Sequence, residues 1–237
     1  MKNDSNKKNK LMKKLDHIKL SPGTEHVLNI IKAALASFPV GASITSLMTD
    51  YIPNSKFRRL EEFIFRIADD LRRLSDRIEQ EYIRTDEFAY MFEQSFRGVG
   101  ENYQQEKIDA FRGILLNSAI RQDIIQDEKE FFLSLVNNLS VLHIRILKFL
   151  ASPNEYIQEI GIEPNSMQGG FRDMFRILMP ELDTSIIESA FGDLFGLGLI
   201  STPKTIFHSM TSGSGLRLFG DRVADLGRRF IDFCRVP

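Results

Sequence analysis

The longest regular run of hydrophobic positions lies between Asn54 and Ile83, directly after Pro53. Within it, apolar residues follow one another at alternating steps of three and four: Phe57, Leu60, Ile64, Ile67, Leu71, Leu74 and Ile78. This spacing places them along one side of an α-helix, as in the heptad pattern of bundle helices. Charged residues of both signs lie between them and keep the other faces solvated. The pattern predicts a long bundle helix.

Shorter amphipathic patterns predict further helices on both sides of this one. They cover residues 25–37, a short stretch from Ile44 to Ile52, a segment that starts after Thr85 and ends at 98–100, and residues 103–120 and 123–138. The connections between them are short, so consecutive helices should run antiparallel. We therefore expect a helical bundle over residues 23–138.

The pattern changes after Leu139. Helices are predicted from Ser140 to the residue before Pro153, over 171–178 and over 184–194, and Gly198-Leu199-Ile200 follows the last of them. Two short apolar runs, 205–207 and 216–219, flank a turn rich in glycine and serine, which is typical of a β-hairpin. A closing helix is predicted near 221–234. The predicted fold class is mainly α, with an N-terminal helical bundle followed by a small winged-helix-like α+β module over residues 139–237.

The order of elements in this C-terminal part resembles a winged helix-turn-helix. Its closing residues are Leu226-Gly227-Arg228-Arg229-Phe230-Ile231. Together with an apolar, glycine-containing N-terminal segment and a helical bundle, this layout is similar to the bacterial abortive-infection alpha family. One position departs from the pattern, since Ala224 stands where such endings often carry Thr. The resemblance implies a defence-associated protein that halts phage infection, and it carries no catalytic residue over to this chain.

Charge is distributed unevenly along the chain. Residues 1–22 hold seven lysines and two aspartates, a net charge of +5, whereas the remaining chain has 24 basic and 30 acidic residues, a net charge of −6. The first segment has no uninterrupted apolar run of the kind a signal peptide needs, so we expect a basic flexible tail. The acidic remainder does not favour a nucleic-acid platform. A single cysteine, Cys234, excludes an internal disulfide and fits the reducing cytoplasm.

A stretch of seventeen uncharged residues, Ala33–Thr49, is the longest in the chain and contains the helix-breaking residues Pro39 and Gly41. We consider it a candidate membrane or interaction hairpin, represented by Ala36, Pro39, Gly41 and Ile44. Two interpretations stay open: a hairpin packed against the long helix, or one that enters a bilayer when the bundle opens. The second would place the protein at the periphery of the inner membrane.

The chain carries no recognisable catalytic, cofactor or metal motif. Its four histidines lie in four different predicted elements: His17, His26, His143 and His208. No local base accompanies Cys234, and the glycines form neither a phosphate loop nor a dinucleotide fingerprint. We therefore predict no catalytic residue, no cofactor, no metal and no small-molecule substrate.

The predicted recognition helix of the winged-helix-like module argues against DNA binding. Over residues 183–195 it offers Asp183, Glu188 and Asp193 but no Arg or Lys, and phosphates repel such a face. The basic residues that remain for a nucleic-acid contact are Lys204, His208, Arg217, Arg228 and Arg229. We expect a non-enzymatic antiphage protein that acts through a protein partner, self-association or membrane disturbance. The alternative is a winged-helix DNA-binding transcriptional regulator.

Overall fold

The structure is a computed structural model that describes Lys13 and residues 51–79, 81–209 and 215–237. Of the residues described, 74% are helical and none belongs to a strand. The chain divides into two compact units, the first formed by Met1–Asn137 with Cys234–Pro237 and the second by Asn138–Phe233. The expected helical bundle is thereby confirmed. The predicted tail, apart from Lys13, and the hairpin residues Ala36, Pro39, Gly41 and Ile44 lie outside the described residues.

The first unit is built from α-helices joined by short turns. Its elements are α1 (Tyr51–Arg73), 3-10 turns at Ser75–Arg77 and Tyr82–Arg84, α2 (Asp86–Glu101), α3 (Gln105–Ile120) and α4 (Gln126–Asn138). The predicted heptad side of α1 faces the core, since Leu60, Ile64, Ile67 and Leu71 are all buried. Burial of this side against α2 and α3 supplies most of what holds a bundle helix in place.

Helix α1 ends ten residues earlier than the hydrophobic pattern predicts. The backbone amide of Glu79 donates to the carbonyl oxygen of Ala119 at 3.0 Å, so the chain turns toward the end of α3 instead of extending the helix. Leu74 and Ile78 remain buried although they lie beyond the α-helix. The apolar spacing therefore predicts the inward-facing residues correctly, but the predicted end of the helix is wrong.

The start of α2 and its contact with α3 follow from single residues. The Thr85 hydroxyl accepts a hydrogen bond from the amide of Phe88 at 3.3 Å and caps the helix as expected. Further along α2, Gly98 lies against the ring of Phe111, where a Cβ atom would overlap the ring carbons. The glycine thus permits the close approach of α2 and α3.

The second unit has a core of aromatic rings. Its elements are α5 (Val141–Ala151), α6 (Pro153–Glu159), a 3-10 turn at Pro164–Ser166, α7 (Phe171–Leu178), α8 (Thr184–Gly196), 3-10 helices at Lys204–His208 and Gly215–Phe219, and α9 (Asp225–Cys234). Their side chains meet in a phenylalanine cluster formed by Phe149, Phe171, Phe175, Phe191, Phe207 and Phe219. The closest ring centroids are 4.6 Å apart, between Phe149 and Phe219.

The prediction of a winged-helix-like α+β module for this unit is wrong. Both predicted hairpin strands are 3-10 helices, and within the described ranges the only strand-like pairing is an isolated antiparallel bridge between Ile200 and Val223. The reason lies in consecutive burial: Leu218 and Phe219 are both buried, whereas neighbouring residues of a strand point to opposite faces. A helical turn lets Phe207 and Phe219 reach the phenylalanine cluster.

None of the described helices is by itself long and apolar enough to cross a bilayer, and only α4 and α5 taken together pass on length and composition.

Candidate functional site: an arginine-rich groove

The outer surface of α1 and the connection between α2 and α3 enclose a groove of about 250 Å³ in the first unit. One wall carries charged side chains of α1: Arg58, Arg59, Glu62 and Arg66. Positions three and four apart share one face of a helix, which brings these residues into one row. Tyr103 and Gln105 form the opposite wall. We call this feature the arginine groove.

The floor of the groove is rigid. Phe63 and Ile108, both buried, close it from below. Close by, the buried carboxylate of Asp70 on α1 accepts two hydrogen bonds from Arg112 on α3, at 2.5 and 2.7 Å. This pairing raises the pKa of the Arg112 guanidinium, because the carboxylate favours the charged form. This ion pair thus joins α1 to α3.

Arg59 is the most firmly held cation of the groove. Its Nη2 donates to the carbonyl oxygen of Gly100 at 3.3 Å, and its buried Nε has no hydrogen-bond partner within the described residues. A buried donor without a hydrogen-bond partner destabilises the folded state, so an acceptor able to reach it would bind favourably.

The other two guanidinium groups are only loosely paired. Arg58 lies 3.7 Å from Glu62, and Arg66 lies 3.8 Å from Asp109, with the side chains of both arginines well exposed. Solvated ion pairs of this length contribute little, typically below about 1 kcal/mol. Their donors therefore remain able to bind an incoming anion.

Tyr103 adds an aromatic surface at the rim, where its side chain is 75% exposed. A tyrosine ring offers a large and rather stiff contact area with a polar tip. The groove thus combines positive charge, one carboxylate and an exposed aromatic ring.

Two further polar clusters lie in the second unit, each around a histidine. In the first, His143 Nδ1 lies 2.7 Å from Ser140 Oγ, and its Nε2 lies 3.3 Å from Asp193 Oδ2. The composition is that of a Ser-His-Asp triad. However, the amide of Ser140 also donates to Nδ1 at 3.1 Å, so the ring nitrogen that a serine nucleophile would need already caps α5.

The second cluster joins α7, α8 and a 3-10 helix. Glu188 accepts a hydrogen bond from Arg172 at 2.7 Å and lies 3.1 Å from Nε2 of His208. His208 Nδ1 is 3.1 Å from the same Arg172 nitrogen, so the three groups form a closed triangle. This arrangement neutralises Glu188 and ties three elements together. Within the part of the chain that is described, no group of three His, Cys, Asp or Glu side chains is arranged to hold a metal ion.

The residues predicted as nucleic-acid contacts are spread over several elements of the second unit. Lys204 and His208 begin and end one 3-10 helix, and Arg217 lies in another, with its side chain outside the described set. On α9, Arg228 lies 3.4 Å from Asp221, and Arg229 lies 3.8 Å from Asp225. Both arginines are thus paired with aspartates.

Sequence reasoning missed the arginine groove. The arginines of α1 were interpreted as one part of a solvated, mixed-sign surface. A signal existed in the recurrence of Arg59, Glu62 and Arg66 at helical spacing. The position of Tyr103 opposite them could not be read from any local pattern, because it depends on how α2 and α3 are joined.

No protein-family model, curated protein or solved structure matches this chain. The resemblance to the abortive-infection alpha family therefore rests on the sequence layout alone.

Proposed function

We propose that the protein is a non-enzymatic defence protein of the abortive-infection type that acts by binding another protein through the arginine groove. The observation that carries the proposal is the placement of Arg58, Arg59 and Arg66 opposite the exposed ring of Tyr103. Arginine and tyrosine are the residue types that most often dominate the energy of protein interfaces. The defence context comes from the resemblance of the sequence layout.

The size of the groove favours a protein segment over a small-molecule substrate. Its volume of about 250 Å³ is below the range of roughly 300–1,000 Å³ that ordinary ligand sites occupy. An open, shallow groove of this kind suits a short stretch of a larger partner.

The two histidines in the described part of the chain support a role without catalysis. His143 caps α5, and His208 completes an ion-pair triangle, so each has a structural task. The hydrophobic side of α1 is not available to a partner, because Leu60, Ile64 and Ile67 are already buried in the bundle. A partner protein would therefore bind another surface, such as the arginine groove. We place the protein in the cytoplasm, where its single cysteine would stay reduced.

The test is a phage challenge of bacteria that express the full chain. We expect protection at low phage multiplicity and collapse of the culture at high multiplicity, compared with an empty vector. The double variant Arg59→Gln/Arg66→Gln should lose protection at an unchanged expression level.

The matched control removes two arginines outside the groove. Arg72 pairs with Asp69 on α1, and Arg97 pairs with Glu93 on α2. Arg72→Gln/Arg97→Gln changes the net charge equally and should protect like the natural chain. Equal loss in both double variants, or no protection against a broad phage panel, would contradict the proposed function.

A further inference from the structure

Charged groups of both signs lie along the wall of the arginine groove. Arg59 and Arg66 are seven residues apart on α1, which is about two helical turns or roughly 10 Å along the axis. Glu62 lies between them on the same wall and is 56% exposed. A ligand that runs along α1 therefore meets the cations of Arg58 and Arg59, then the carboxylate of Glu62, which lies 3.7 Å from Arg58, and then the cation of Arg66.

This order discriminates between anions. A single phosphate group is too small to reach two guanidinium groups separated by two helical turns. A nucleic-acid strand carries one charge every 3.4 Å or so, and one of its phosphates would lie against Glu62. The best complement has two negative groups about 10 Å apart and no negative charge between them.

We infer that the groove binds an acidic segment of a partner protein, with two carboxylates separated by two uncharged residues in polyproline II conformation. This conformation has three residues per turn and rises about 3.1 Å per residue, so the first and fourth side chains lie on one side, roughly 9 Å apart.

Tyr103 supplies the second element of recognition. Grooves lined by aromatic rings bind polyproline II segments, because the rings pack against the ridges of the extended chain. Tyr103 lines the groove and is 75% exposed, so its ring would contact the two residues between the acids.

The inference rests on the proposed function, because it names the partner chemistry of the same groove. It is tested by fluorescence anisotropy of the full chain with labelled peptides in which one, two or four prolines separate two glutamates. We expect the Glu-Pro-Pro-Glu peptide to bind at least about fivefold more tightly than the other two. Affinity that follows total negative charge and ignores spacing would overturn the inference.

Variants of the wall locate the binding. Arg59→Gln and Arg66→Gln should each weaken binding of the Glu-Pro-Pro-Glu peptide about tenfold, as expected for loss of a charge-assisted hydrogen bond. Arg72→Gln, on the same helix but outside the groove, should leave it unchanged. Equal effects of Arg66→Gln and Arg72→Gln would show non-specific attraction and count against the groove.

A variant of Glu62 tests whether the groove distinguishes the proposed ligand from a polyanion. Glu62→Gln should strengthen binding of a single-stranded oligonucleotide and of a Glu-Glu-Glu-Glu peptide more than binding of Glu-Pro-Pro-Glu. Tighter binding of inorganic phosphate or of the oligonucleotide than of Glu-Pro-Pro-Glu by the natural chain would overturn the inference.

The peptide assay and the phage assay fail separately. Loss of phage protection in Arg59→Gln/Arg66→Gln without any spacing preference among peptides would leave the proposed function and remove the acidic segment. If the natural chain shows a clear spacing preference but Arg59→Gln/Arg66→Gln still protects against phage, the groove binds the acidic segment and the proposed defence function through the groove is wrong.

Discussion

At the scale of single residues, the first unit contains a lysine in an unusual place. Lys129 on α4 is only 2% exposed, its Nζ donates to the carbonyl oxygen of Ser118 at 3.1 Å, and it lies 4.0 Å from the centre of the Tyr82 ring. Burial lowers the pKa of Lys129, since an ammonium group loses its hydration there. Burial also raises the pKa of Tyr82 to about 12.

These shifts predict how stability depends on pH. The unfolded chain binds the Lys129 proton more tightly than the folded chain, so the contribution of Lys129 to stability rises as pH climbs from its lowered pKa toward 10.5. Lys129→Met lacks this contribution. The stability of Lys129→Met relative to the natural chain should therefore fall as the pH rises toward 10.5, as measured by urea unfolding.

Lys148 provides the control for this pH dependence, because it is an exposed lysine on α5. Lys148→Met should keep a constant stability relative to the natural chain over the same pH interval. If the two variants show parallel curves, the buried ammonium of Lys129 is not the cause of the slope.

At the scale of elements, one carboxylate fastens α1 to α3. Asp70 has a side chain that is 4% exposed and accepts hydrogen bonds from Arg112 and also from Arg73, the latter at 3.1 Å. Asp70→Asn would remove the carboxylate that is hydrogen-bonded to the largely buried Arg112 guanidinium. We expect a loss of about 2–4 kcal/mol of unfolding free energy, because an unpaired buried charge is costly.

The neighbouring residue makes a sharp comparison. Asp69 pairs with Arg72 at 3.0 Å, but its side chain is 73% exposed. Asp69→Asn should change stability by less than about 0.5 kcal/mol, since solvated pairs contribute little. Chemical denaturation of both variants measures the difference, and similar losses would show that burial does not decide the strength of these pairs.

The helices also show which features of the fold can be predicted from the sequence. Amphipathic spacing predicted the inward side of α1, and the hydroxyl of Thr85 marked the start of α2. The end of α1 depends on the contact between Glu79 and Ala119, forty residues apart, which no local pattern contains. The run that includes Leu218 and Phe219 was read as a strand because short apolar runs have no clear period. Packing into the phenylalanine cluster decided its conformation.

The arginine groove illustrates the same limit. The arginines of α1 are visible in the sequence, and their helical spacing follows from the hydrophobic pattern. The exposure and loose pairing of Arg58 and Arg66, and the position of Tyr103 across from them, arise only from the packed bundle. The hydrophobic pattern predicts the helix face on which a residue lies, whereas a site depends on two elements that the fold brings together.

At the scale of the whole molecule, the last residues of the sequence belong to the first unit, although the chain before them belongs to the second. Gly113 on α3 lies directly against the carbonyl group of Cys234, where a Cβ atom would overlap it. The side-chain amide of Asn117 donates to the carbonyl oxygen of Arg235 at 2.7 Å, and Arg73 donates to that of Pro237 at 3.2 Å. These contacts hold the segment Cys234–Pro237 on the first unit.

Each unit has its own core, so the two should open separately in hydrogen exchange. Phe219→Ala removes a fully buried ring from the phenylalanine cluster and should cost about 3–5 kcal/mol. Exchange measured by mass spectrometry should accelerate over residues 138–233 and stay unchanged over 51–137. The amides of 234–236 should follow the first unit, and they should accelerate with it in Asp70→Asn. Uniform acceleration along the chain in both variants would mean that the two cores unfold as one.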